Sequence, residues 1–221
     1  MYMKNTPITI QTWLEQEHWD TPRVSLYHIT KQTWKKYITI EAAGSYDCLF
    51  VLHDADITLE IAVRGEGAHV RLWCLILSKD MRKTSLQLQV KLLVAWAVAH
   101  VYAVSLLGNN ARVSLQGWIF LGNDAHGAEW YLQEENILLG EGIKIEALPM
   151  LDVQTNDVKA SHGATMQRLD EQKLFYMNAK WISSEHATTM LIWSYIAKVA
   201  QHVSLDDDLL HHCMSDYGDI V

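Results

Sequence analysis

Cysteine is scarce in this 221-residue chain, and so is positive charge. The three cysteines, Cys48, Cys74 and Cys213, are odd in number, far apart and never arranged as CxxC. That excludes a disulfide framework and a zinc ribbon, and leaves reduced thiols in a cytoplasmic protein as the simplest reading. Lysine and arginine number 18 against 26 acidic residues, a net charge of −8. Such a chain has little with which to neutralise phosphates, so neither nucleic acid nor a membrane surface is an expected partner. The most apolar stretch, Leu92 to Leu107, is broken by His100 and Ser105 and is shorter than the roughly 20 residues of a spanning helix. Met1 to Trp13 has no apolar centre of the kind a signal peptide needs. Phosphate loops, GxSxG elbows, HExxH helices and GxGxxG fingerprints are all missing, so the common routes to nucleotide, ester and zinc-protease chemistry are closed.

What is present is 49% hydrophobic residues, enough for a sizeable core, and an alternation that carries much of the chain. Leu86, Leu88, Val90 and Leu92 interleave with polar residues. Ala111 to Ile119 and Ile143 to Ala147 do the same, and period two predicts strands with one buried face. Four turns accompany them, opening at Gly65, Gly108, Gly122 and Gly140, the last three 14 and 18 residues apart. Glycine and asparagine suit tight corners, and the interval suits a coil of two or three short strands. Periodicity alone leaves a parallel β-helix and an antiparallel sandwich level.

Beyond Thr165 the pattern turns helical. Asp170 is placed to cap a short helix through Met177, and Ser183 or Ser184 a longer one whose stripe is Ile192, Tyr195, Ile196, Val199 and Val203. Ser204 and three aspartates predict a third helix start. The expected organisation is therefore an N-terminal segment without an assigned element (1–35), a β core (36–165) and a helical segment (166–221).

Eleven histidines offer several candidate ligands. His211 and His212 point about 100° apart on a helix and cannot both chelate one ion unaided. His53 with Asp54 and Asp56 reads as a loop cluster. His162 stands where alternation ends, between Ser161 and Gly163, with room for its imidazole to meet metal, proton or another surface. The bland reading is a ring that merely covers the last coil.

Several ordered motifs then carry a resemblance. Pro149-Met150-Leu151-Asp152-Val153, Asn156 through Thr165 with its His162-Gly163-Ala164-Thr165, Asp170 through Met177, and the helix opened by Ile182-Ser183 resemble the C-terminal part of the SufB/SufD family, the scaffold subunits of SUF iron–sulfur cluster assembly. The resemblance spans Asn136 to Ala197 and implies a right-handed parallel β-helix followed by a short C-terminal α-helical segment. It further implies a non-enzymatic scaffold that pairs through its β-helix with a SufB-like paralogue or a second copy of itself. C-terminal helices, with Ile192, Tyr195, Ile196 and Val199, would dock a SufC-type ABC ATPase. An iron–sulfur cluster would reside transiently, shared with the partner. His162 would be the interface and metal-ligating residue, with Glu171 near an acidic position of SufB-like members. Ile143 stands where SufB-like members have a cysteine and Gly163 where they have an acid, so the likeness is to SufD. Lys180-Trp181 replaces the usual Arg-Gly before the docking helix, and the chain is about half the family's usual length, a short form. The alternatives are a stand-alone metal protein using His162 with nearby carboxylates, or a β-helical carbohydrate-active enzyme using Asp152 and Asp157.

Overall fold

The computed structural model describes residues 9–10, 16–30, 32–81 and 83–203. Thirteen strands are followed by two helices. The strands are β1 (Thr9–Ile10), β2 (Gln16–Trp19), β3 (Arg23–Thr30), β4 (Thr33–Ile40), β5 (Ser45–His53), β6 (Asp56–Val63), β7 (His69–Ser78), β8 (Lys83–Leu92), β9 (Val98–Leu107), β10 (Arg112–Leu121), β11 (Ala128–Leu138), β12 (Lys144–Val153) and β13 (Val158–Arg168). The helices are α1 (Glu171–Ala179) and α2 (Ser184–Val203). Odd-numbered strands form one sheet and even-numbered strands the other, each in chain order and every pairing parallel. Each turn of chain thus lays one strand on each sheet, which is a parallel β-helix and excludes the antiparallel sandwich.

Register partners His69 and Val98, Val98 and Glu129, and Ala128 and Val158 set the coil at about 30 residues. The turns spaced by 14 and 18 residues are therefore half-coils. Those at Gly65 and Gly122 lead from the even sheet to the odd one, and those at Gly108 and Gly140 lead back. At Gly127 (φ +67°) a Cβ would collide with the Trp96 ring, so only glycine fits that corner.

Alternation determines which side chains enter the interior of the coils. Leu86, Leu88, Val90 and Leu92 of β8, and Val113, Leu115 and Ile119 of β10, all belong to the interior cluster. β5 and β7 do not alternate: Cys48–Leu52 and Leu72–Leu77 are buried throughout. Their outward residues Leu49, Val51, Leu75 and Leu77 lie in a second cluster with Ile192, Ile196 and Val199 of α2. A sheet covered on both faces needs apolar residues at every position. The solenoid also reaches further towards the N-terminus than residue 36, because β2, β3 and the first residues of β4 extend the same two sheets. There Lys36 is wholly buried and paired with Glu17, whose carboxylate also accepts hydrogen bonds from Trp19 Nε1 (2.8 Å) and the Tyr27 hydroxyl (2.9 Å). β13 runs on to Arg168, a little past the expected boundary at 165.

Asp170 caps α1 by accepting from the backbone N–H groups of Gln172 and Lys173, and Ser183 accepts from His186 N–H at the start of α2. The third expected helix start at Ser204, with His211, His212 and Cys213, lies outside the described residues.

Candidate functional site at the open end of the β-helix

The last coil is open. β12 and β13 each pair on one side only, with β10 and β11, and the described chain lays no further strand on either. Side chains that would be core one coil earlier are left open to solvent here. Leu151, in register with buried Ile119, is 46% exposed, and Met166, in register with buried Asn136, is 55% exposed. Leu148, Met150 and Val153 are exposed as well. Two free strand edges rimmed by apolar side chains form a surface that invites another chain.

His162 stands in the middle of β13, solvent-exposed, in register with Leu132 of the preceding coil. Because Leu132 belongs to the interior cluster, His162 projects from the inward face of the last coil, at the mouth of the solenoid. Gly163 beside it has open space where a Cβ would be. β13 is tied down at its start by Lys159 Nζ on Glu129 Oε1 (2.6 Å), and further along by Asn136 Nδ2 donating to Thr165 O (3.2 Å).

Glu171 does not join His162. It is the first residue of α1, beside Arg168, and six residues of strand at about 3.3 Å each separate Arg168 from His162. The α2 stripe also has a different place from the one the resemblance implies. Ile192, Ile196 and Val199 are buried against the outer face of the odd sheet, and Tyr195 packs half-buried beside them. Among the described residues of the helical segment, the large apolar side chains left exposed are Phe175 and Tyr176 on α1, Met190 on α2 and Trp181 between them, the last 98% exposed at φ +66°. Asp152 and Asp157 sit on β12 and in the turn after it, joined by no hydrogen bond or ion pair. His53 and Asp54 form a buried pair at a corner, 3.4 Å apart.

Among the described residues no group of three or more His, Cys, Asp or Glu could hold a metal ion. Cys48 and Cys74 are interior, and burial raises both thiols, Cys74 to about 12, which removes them as thiolates. A further residue, which the motifs do not single out, is Glu134. It is 3% exposed, inward-facing on β11, and burial pushes its carboxyl up to about 7. Its signal lies in the alternation: Trp130, Leu132, Glu134 and Asn136 interleave with outward residues, so period two alone places that acid inside.

The family model for "SUF system FeS cluster assembly, SufBD core domain" matches residues 24–195, from the second coil to the middle of α2. The chain belongs to the SufBD core family. Among curated members it is 27% identical to the iron–sulfur cluster assembly protein SufD of Escherichia coli K12 over 114 residues, 52% of this chain and 27% of that protein. A SufBD family protein of Synechocystis is 30% identical over 99 residues, 45% of this chain and 20% of the relative. SufB of Bacillus subtilis is 20% identical over 150 residues, 68% of this chain and 29% of the relative. The chain thus spans less than a third of each of these SufBD proteins. Among the described residues no helix is long and apolar enough to cross a membrane.

Proposed function

We propose that this SufBD-core chain is a non-enzymatic, cytoplasmic scaffold subunit of a SUF-type iron–sulfur cluster assembly complex. It pairs through the open end of its β-helix with a SufB-like subunit or a second copy of itself. The observation that carries this reading is the uncapped last coil: two unpaired edges, with exposed Leu151, Val153, Met166 and His162 all at positions that are interior one coil earlier. Edge pairing would satisfy the free backbone groups and remove those side chains from water, about 25 cal/mol per Å² of apolar area.

The cluster is cargo at this interface. His162 would offer it an imidazole nitrogen, a ligand suited to iron. Among the described residues the two cysteines, Cys48 and Cys74, lie sealed inside the coils, so at this end of the β-helix thiolate ligands would come from the partner. An ABC-type ATPase would dock on the exposed face of the helical segment, through Phe175, Tyr176, Trp181 and Met190. The α2 stripe anchors that segment to the β-helix and holds the face at a set position on the scaffold.

The test is co-expression of the tagged full chain with the ATPase and the longer scaffold paralogue of its own source, weighed by light scattering. A heteromeric complex is expected. Leu151→Lys should remove the scaffold partner and spare the ATPase, and Trp181→Ser should do the reverse. A wild-type monomer that captures neither partner would refute the proposal.

A further inference from the structure

A polar patch lies inside the coils beneath the open end. There Ser105 Oγ, Glu134 Oε2 and Asn136 Oδ1 are buried with no hydrogen-bond partner. Ser105 and Asn136 are register partners, and Glu134 is two residues from Asn136 on the same face, so the three share one patch, Glu134 and Asn136 one coil below the exposed strand and Ser105 two. Across the interior, Gly117 of β10 leaves room for it. A Cβ there would lie 3.8 Å from Glu134 Oε1 and 2.6 Å from Leu132 Cδ2.

Register then places His162. Glu134 pairs with Ala164 and Leu132 with His162, so Glu134 and His162 are diagonal neighbours on one face, about 7 Å between Cβ atoms by ordinary sheet spacing. Ala164 directly above Glu134 is too small to screen one from the other. A carboxylate and an imidazole both extend well beyond Cβ, so the two heads can meet by side-chain rotation alone. Neither group has another partner that would hold it back: Glu134 Oε2 is unpaired, and His162 makes no hydrogen bond or ion pair among the described residues.

Resting on the scaffold reading above, we propose that Glu134 is the positioning residue of His162: its buried carboxyl group holds the inner ring nitrogen by a hydrogen bond and leaves the outer nitrogen facing the interface. A carboxyl hydrogen-bonded to a histidine fixes both ring orientation and tautomer, an arrangement found behind metal-ligating histidines. It also explains why an acid is kept inside an apolar coil, where an unpaired carboxyl is costly. When a partner covers the open end and strips water from His162, Glu134 remains as a fixed, preorganised hydrogen-bond partner. Glu129, at the start of the same strand as Glu134, is an outward residue already held by Lys159.

The experiment is ¹⁵N NMR of the ring nitrogens of His162 in the isolated, metal-free full chain, assigned with His162→Asn. In the wild type, one tautomer should dominate. Glu134→Gln keeps shape and burial, but its amide can either accept from or donate to the inner ring nitrogen, and should return the ring to the mixed tautomer of a free histidine. Glu134→Asp, which keeps the carboxyl one methylene further away, should recover part of the single-tautomer signature. A ring with identical nitrogen shifts in the wild type and Glu134→Gln, both folded by amide spectra, would overturn the proposal. The measurement needs no partner, so its failure leaves partner capture standing, and a failure of capture leaves the tautomer result intact.

Discussion

Truncating Ile196 to alanine should separate packing from docking in the helical segment. Ile196 is fully buried, in one cluster with Leu75, Leu77, Leu106 and Ile137 of the odd sheet. Removing a buried isoleucine side chain to alanine costs about 2–5 kcal/mol, combining lost transfer energy with the cavity left behind. In a domain of this size each kcal/mol lowers Tm by roughly 2–4 °C, so the expected drop is about 4–20 °C. Trp181, almost fully exposed, makes no such contact, and Trp181→Ala should stay within about 0.5 kcal/mol of wild type. Calorimetric melts of the two variants measure the first effect, and capture of the ATPase at a temperature where both remain folded measures the second. Ile196→Ala should melt early and still bind, whereas Trp181→Ala should melt normally and fail to bind. An unchanged Tm for Ile196→Ala would show that α2 is not seated on the sheet, and the division of roles between the two faces would fall.

Three further outcomes test other parts of the structure. Glu17→Ala strands the Lys36 ammonium in the first coils and should cost about 3–5 kcal/mol, whereas the double change Glu17→Leu, Lys36→Met should recover part of that loss but not all, because Trp19 Nε1 and the Tyr27 hydroxyl still lose their acceptor, both read by urea titration. Glu134 has a folded-state pKa of about 7, above its ordinary 4.5, so the folded chain holds a proton that the unfolded chain releases in that window. Its contribution is therefore most favourable below pH 4.5 and is lost as pH rises through 7. In the metal-free protein, Glu134→Gln should match wild type in acid and melt higher near neutrality and above, and the opposite ordering would contradict the burial that raises the carboxyl. Gly117→Val would drive its side chain into Leu132 and crowd the Glu134 carboxyl, costing about 1–3 kcal/mol, and an unchanged Tm would mean the space opposite Glu134 is larger than described.

Much of the fold is legible in the residue pattern alone. Alternation through β8 and β10 points the right residues inward, and the Asp170 cap and the Ile192–Val199 stripe are visible as residue spacings. β5 and β7 are not legible in that way, because α2 lies over their outer face and makes both faces apolar, which erases period two. The first coils are hidden for a related reason: Lys36 and Glu17 are charged residues at buried positions, and a pattern read by hydropathy treats them as surface. Glu134 is an acid that hydropathy alone would put at the surface, and only its place in the alternation with Trp130 and Leu132 marks it as inward.

Strand periodicity, the places where the chain must turn, the helical segment and, through ordered motifs, the family are all written in the chain itself. These are local properties: side-chain alternation, corner residues and caps act over a few positions. Packing in three dimensions decides that the α2 stripe faces its own sheet, that Glu171 stands far from His162, and that Glu134 lies one coil beneath that histidine. The last depends on which residues about 30 positions apart come into register, and coil length follows from how corners stack in space and not from any local preference.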